Sequence, residues 1–166
     1  GVSPRGAVGC QGLKERVGRV APHGAIHFAR EADLATAVAH AVSTFDPNLV
    51  VVTLPGSAMV QAAHALGLRV AREGFADRAY RADGTLAPRS EPGAVIHDPA
   101  QAAERAVRMV IRDEVEATDG SIIPLHVDTL CIHGDTPGAA SIAAPLRAAL
   151  ETAGVQVVPL TRVIDR

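Results

Sequence analysis

The chain has 166 residues, a formal net charge of −2, 48% hydrophobic and 20% charged residues, and aromatics at only 2%. That is enough length and apolar content for one domain with a core of its own, built from Ala, Val, Leu and Ile rather than from rings. The absence of a basic run and the scarcity of stacking rings exclude a nucleic-acid binder, and no apolar stretch approaches the ~18–20 residues of a membrane span. No charged-then-apolar leader opens the sequence, so a cytoplasmic protein is expected. Cys10 and Cys131 sit in no paired motif, which argues against a disulfide framework or a cysteine zinc site.

Residues 1–16 show neither alternation nor helical periodicity and are read as an atypical start to a single domain over 17–166. Val17–Val20 reads as a short strand. Leu34, Val38, Ala41, Val42 and Phe45 recur at helical spacing over Glu31–Phe45, and Asp46-Pro47 stops that helix. Leu49–Leu54 is a continuous apolar run, as in a strand buried on both faces. Pro55-Gly56 breaks it, Ser57 can cap a helix to about Ala65, and a further strand starts at Leu68–Val70. Residues 74–96 are rich in Arg, Asp, Gly and Pro and predict an ordered loop. Asp98-Pro99 opens a helix with a capping carboxylate and proline at its first position, buried through Ala103, Ala106, Val107, Val110 and Ile111. A short strand pair is expected around Asp119-Gly120, a buried strand at Thr129–Ile132, a helix from Thr136-Pro137 to near Gly154, and a closing strand at Val155–Leu160. The alternation of strand and helix predicts a mostly parallel α/β fold with about five principal strands.

In such folds ligands bind where the strands end. The segments that follow the expected strands are rich in polar and turn-forming residues. His23 lies between Pro22 and Gly24, and His133 is delivered into Gly134-Asp135. Either imidazole can act as a general acid or base, as a metal ligand, or as a hydrogen-bonding loop residue. Asp135 can orient His133 or cap the next helix. Asp77 and Arg78 are adjacent; Arg78 can grip a carboxylate or phosphate with two parallel bonds, and the residues alone favour an internal role holding the loop. Arg89, Glu91 and His97 share that loop. His27, His40, His64 and His126 form no HxxxH or HxH pair, and no GxxxxGK[ST], GxGxxG or GxSxG motif is present.

Three segments resemble one family. Pro22-His23-Gly24-Ala25 is similar to its KPHGALYN segment. Phe75–Asp98, FADRAYRADGTLAPRSEPGAVIHD, is similar almost throughout to its FADRAY…DGTL…R…GAVIHD block. Thr129–Pro137, TLCIHGDTP, follows its T-I-C-V-H-G-D-x-P segment. On these the chain resembles the LamB/YcsF (lactam-utilisation) family, the A-subunit of the bacterial ATP-dependent 5-oxoprolinase, over about residues 17–160.

The resemblance implies an irregular seven-stranded β/α barrel of the polysaccharide-deacetylase-like type, here incomplete. It implies hydrolysis of 5-oxo-L-proline (pyroglutamate) to L-glutamate with ATP as co-substrate, together with subunits B and C. Carried over by position, His23, Asp77, His133 and Asp135 are the expected catalytic residues, and Arg78, Arg89 and His97 the expected substrate-binding ones. No metal ligands are assigned, and a divalent metal is left open. Two departures stand out: Ala21 replaces the family's lysine, and His27-Phe28 its Tyr-Asn. The D-L-N-x-D-x-G-E, C-G-F-H-A-G-D and A-H-P segments of the family's N-terminal third have no counterpart, so the chain alone is expected to have little or no activity. The alternatives are a metal-dependent carbohydrate deacetylase and a non-catalytic assembly module that forms homo-oligomers.

Overall fold

The computed structural model describes residues 19–20, 31–133 and 139–164. Their order is β1 (Arg19–Val20), α1 (Ala32–Phe45), β2 (Val50–Thr53), α2 (Ala58–Ala65), β3 (Arg69–Phe75), α3 (Pro99–Arg112), β4 (Glu114–Glu116), β5 (Ile122–Pro124), β6 (Thr129–Cys131), α4 (Ala139–Thr152) and α5 (Thr161–Ile164). A four-stranded parallel sheet runs β1-β2-β3-β6, and β4 pairs with β5 as an antiparallel ribbon. The mixed α/β architecture with a parallel sheet follows from the alternation in the sequence.

β2 is buried at all four positions, as its continuous apolar run requires of a parallel strand covered on both faces. One face meets a cluster of Ala35, Ala39, Val42, Val51, Met59 and Ala63. On the other, Val50, Val52 and Ala71 pack with Leu160. The larger core gathers Phe75, Tyr80, Met109, Leu130, Ile142, Leu146 and Leu150 around α3 and α4.

Several elements depart from the sequence reading. β3 starts where expected and runs on to Phe75, into the segment read as loop, because its polar residues find partners. Arg72 donates through Nε and Nη2 to the two oxygens of Asp128 at 2.7 and 3.0 Å. Its backbone N–H reaches the same carboxylate at 2.8 Å, and Asp128 N–H donates to Arg72 O at 2.8 Å just before β6. At Gly74 a Cβ would lie 2.7 Å from Val127 Cγ1, so glycine is what lets this strand run against the segment entering β6. This extension matters for the site, since β6 pairs only with Glu73, Gly74 and Phe75.

α1 buries Ala35, Ala39 and Val42 rather than the expected Leu34 and Phe45, which are 39% and 85% exposed. Small alanines let the helix approach its neighbours closely, so the buried stripe is rotated from the one that large side chains suggest. Ile111 of α3 is likewise half exposed, and Met109 takes the interior position. Ser57 sits at the α2 N-cap without a capping bond; its hydroxyl lies 3.2 Å from that of Thr53. Asp98 does cap α3, accepting from Ala100 N–H at 2.9 Å, with Pro99 at the first helical position. Val155–Leu160 is not a strand in the described structure. Val155 and Leu160 are buried on the way to α5, with a single bridge residue at Gln156 in place of a regular strand, so burial produced the strand-like pattern. The Thr136-Pro137 helix start lies outside the described residues.

The excursion between β3 and α3 is ordered, as expected. It folds back on itself through bridges Arg78↔Val95 and Tyr80↔Leu86, and a tight turn at Asp83 has Thr85 donating to the carboxylate through N–H and Oγ1. Among the described residues no helix is long and apolar enough to cross a membrane.

Candidate functional site

β3 and β6 are adjacent and parallel, with Phe75 in register with Cys131. Each strand therefore delivers its next polar residue to the same edge: Asp77 lies two residues past Phe75, and His133 two past Cys131. The Asp77 carboxylate is fully buried. It accepts the His133 backbone N–H at 3.0 Å, and the imidazole Nδ1 lies 3.0 Å from Oδ2 and 3.3 Å from Oδ1. The His133 ring is partly exposed, at 22%. It stacks on Phe75 with centroids 5.1 Å apart and planes 15° from parallel.

The electrostatics follow from this packing. Burial pushes the Asp77 carboxyl up, but the side-chain and backbone hydrogen bonds from His133, with its charge, outweigh that and hold it below its usual value. An ionised, acceptor-only Asp77 requires Nδ1 to carry the proton, which leaves Nε2 as the basic nitrogen. Such an arrangement can act as a base held by its orienting carboxylate.

The surrounding loop is fixed by residues that point inward. Arg78 is 4% exposed, and its guanidinium is given to loop carbonyls: Nη2 to Ala87 O at 2.6 Å and Nε to Ala94 O at 3.3 Å. That placement suits the loop-holding role the residues favoured. Ile96 N–H donates to Asp77 O at 2.9 Å. Tyr80, fully buried, accepts the Phe75 N–H on its hydroxyl at 2.9 Å. Burial pushes its phenol well up, so it stays neutral. Arg105 of α3 donates to Arg78 O at 3.1 Å.

Of the expected site residues, the structure therefore brings together Asp77 and His133. Arg89 is exposed on the loop. His97 is exposed at the α3 entrance and lines a separate cavity whose walls include neither Asp77 nor His133. His23 and Asp135 lie outside the described residues. Among the described residues the partner of His133 is Asp77, 56 positions away, a pairing that nothing contiguous in the sequence points to. Phe75, Tyr80 and Arg105 were missed. Phe75 and Tyr80 had one signal, their place in the most family-like segment, whereas Arg105 on an amphipathic helix had none. Among the described residues no three His, Cys, Asp or Glu side chains are grouped to hold a metal ion.

A parallel sheet with a buried Asp meeting a partly exposed His just past two adjacent strand ends is the architecture of α/β proteins that bind ligands at the carboxyl edge of the sheet. The family model described as "LamB/YcsF family" matches residues 7–165, and the chain belongs to this family. It is 54% identical over 144 residues to a protein of Heliobacterium modesticaldum named as the A-subunit of 5-oxoprolinase, covering 86% of this chain and 57% of that one. A protein of the same name from Pyrococcus furiosus is 52% identical, with 85% and 56% covered. Among solved structures, the crystal structure of a lactam utilization protein from Thermus thermophilus matches with a TM-score of 0.75 and 49% identity, over 84% of this chain and 56% of that one. The chain thus spans a little over half the length of the relatives it matches.

Proposed function

We propose that this chain serves in a 5-oxoprolinase as its A-subunit, hydrolysing the lactam of 5-oxo-L-proline to L-glutamate with ATP as co-substrate and with subunits B and C as partners. The carrying observation is the Asp77–His133 pair in a chain about half identical to proteins of that name. The same reading takes the parallel sheet as part of a seven-stranded β/α barrel and places the protein in the cytoplasm.

A lactam carbonyl is unreactive toward water. Transfer of the γ-phosphoryl group of ATP to the carbonyl oxygen, releasing ADP, makes the carbon electrophilic. Water then adds, the ring C–N bond breaks and the nitrogen takes a proton to become the amine, leaving an acyl phosphate; a second water hydrolyses this to the carboxylate and phosphate. In this scheme His133 Nε2 takes the proton of the attacking water and returns one to the departing nitrogen, and Asp77 holds the imidazole and stabilises its charged form. Arg78 acts as a positioning residue for the loop, and exposed Arg89 is the cation proposed for the substrate carboxylate. His23 and Asp135 are assigned to the same site on the family motifs alone. No step is routed through a metal.

The test is glutamate release from 5-oxoproline and ATP by this chain mixed with subunits B and C. The expected result is turnover that requires the chain and is lost in His133→Ala. Activity unchanged in a folded His133→Ala protein would overturn the role of the pair. Lack of turnover here, where a relative's full-length A-subunit restores it with the same partners, would overturn the activity for this chain.

A further inference from the structure

A second concave site opens beside the loop, sharing Ala79 and Ile96 with it and taking in neither Asp77 nor His133. It is a cavity of about 490 Å³ between the end of the loop, α3, and the residues that follow β4. That volume suits a small molecule. Its polar lining includes His97, Gln101, Glu104, Arg105, Glu116 and Thr118.

Two of these are unusual. Arg105 is a partly buried guanidinium without a carboxylate in ion-pair range among the described residues. It donates to Arg78 O at 3.1 Å and more weakly to Glu116 O at 3.4 Å, and its buried Nε finds no acceptor there. A cation that has given up hydration for so few acceptors is under-satisfied, and guanidinium is the side chain best matched to a carboxylate. Glu104, the preceding residue of α3, lines the same cavity and likewise has no ion-pair or hydrogen-bond partner among the described residues. By contrast, Arg108 on the same wall is satisfied by Glu114 at 3.0 Å and Glu116 at 3.7 Å. The cavity therefore presents a guanidinium with no carboxylate in ion-pair range and, from an exposed position, a carboxylate with no ion-pair partner among the described residues, with Gln101 and Thr118 as neutral hydrogen-bonding groups.

We infer that this cavity binds a small zwitterion of the free α-amino acid class, its carboxylate on Arg105 and its ammonium on Glu104. A simple anion would leave Glu104 facing it, and a simple cation would face Arg105; a dipolar ligand satisfies both. The inference stands apart from the proposed reaction, although L-glutamate, the product of that reaction, is the natural probe.

The experiment is titration of the purified chain with L-glutamate, without ATP or partner subunits, followed by calorimetry and by amide shifts in NMR spectra. Saturable binding with a dissociation constant of about 1 mM or tighter is expected, with shifts centred on Gln101, Glu104 and Thr118. Glu104→Gln, on an exposed position of α3, weakens L-glutamate about tenfold and leaves glutarate, which lacks the ammonium, unchanged. Arg105→Lys weakens both about tenfold. No saturation by about 20 mM, affinity unmoved by either variant, or shifts centred on Asp77 and His133 would each overturn the assignment. None of these outcomes depends on turnover, so failure here leaves the proposed activity to its own test.

Discussion

Replacing Asp77 by Asn tests the pair most directly, because the shape is kept and the charge removed. In the native protein the carboxylate accepts both the backbone N–H and the Nδ1 proton of His133, each at 3.0 Å, from a fully buried position. An amide can still accept the backbone N–H through Oδ1, but it then turns its NH₂ toward Nδ1. The imidazole must respond by moving its proton to Nε2, which abolishes the base at the exposed nitrogen. A hydrogen bond to a charged group contributes about 1.5–3 kcal/mol, so a stability loss of that order is expected by chemical denaturation. The larger effect falls on turnover. Loss of an oriented base lowers kcat by about 10²–10⁴-fold, with KM much less affected. The assay is glutamate release in the reconstituted complex, with ¹⁵N NMR of the imidazole as a readout independent of any activity. The wild-type ring should be the Nδ1–H tautomer and the variant the Nε2–H tautomer. A folded variant that retained kcat within about threefold and the wild-type tautomer would refute the reasoning.

Other predictions rest on the same packing. Tyr80→Phe removes the acceptor of the Phe75 N–H and leaves that buried group unsatisfied, so chemical denaturation should show a loss of about 1–3 kcal/mol. Gly74→Ala places a methyl group 2.7 Å from Val127 Cγ1 and 3.2 Å from Leu130 Cδ2; denaturant titration should show about 1–3 kcal/mol of destabilisation, and wild-type stability would contradict the close β3–β6 approach. The folded Asp77 carboxyl lies below its unfolded value of about 3.9, so its stabilisation is complete above that pH and is lost as the pH falls toward the folded value. The difference between wild-type and Asp77→Asn unfolding free energies should therefore shrink as the pH falls below about pH 4. A difference that faded between about pH 5 and pH 7 would contradict a depressed carboxyl.

Much of the architecture was legible because it rests on local chemistry. The apolar run of β2, the Asp98-Pro99 entry to α3 and the ordered turn-rich loop are each fixed by a few neighbouring residues, and each stands as expected. Where large side chains guided the reading, it went astray. Leu34, Phe45 and Ile111 imply buried stripes, yet alanine faces pack closer and leave those side chains outward. The end of β3 was hidden because Arg72, Glu73 and Gly74 look like loop chemistry; only Asp128 and Val127, more than fifty residues on, make them a strand.

The same division holds at the site. By itself the sequence determined the α/β class and the family, and it singled out Asp77 and His133, because those depend on residue order and on motifs contiguous along the chain. Tertiary structure alone decided that the two residues are partners and that His97, Glu104 and Arg105 share a different cavity. Each of these turns on burial and on contacts across strands and helices. A parallel sheet sets residues dozens of positions apart side by side, and no local pattern records which of them will meet.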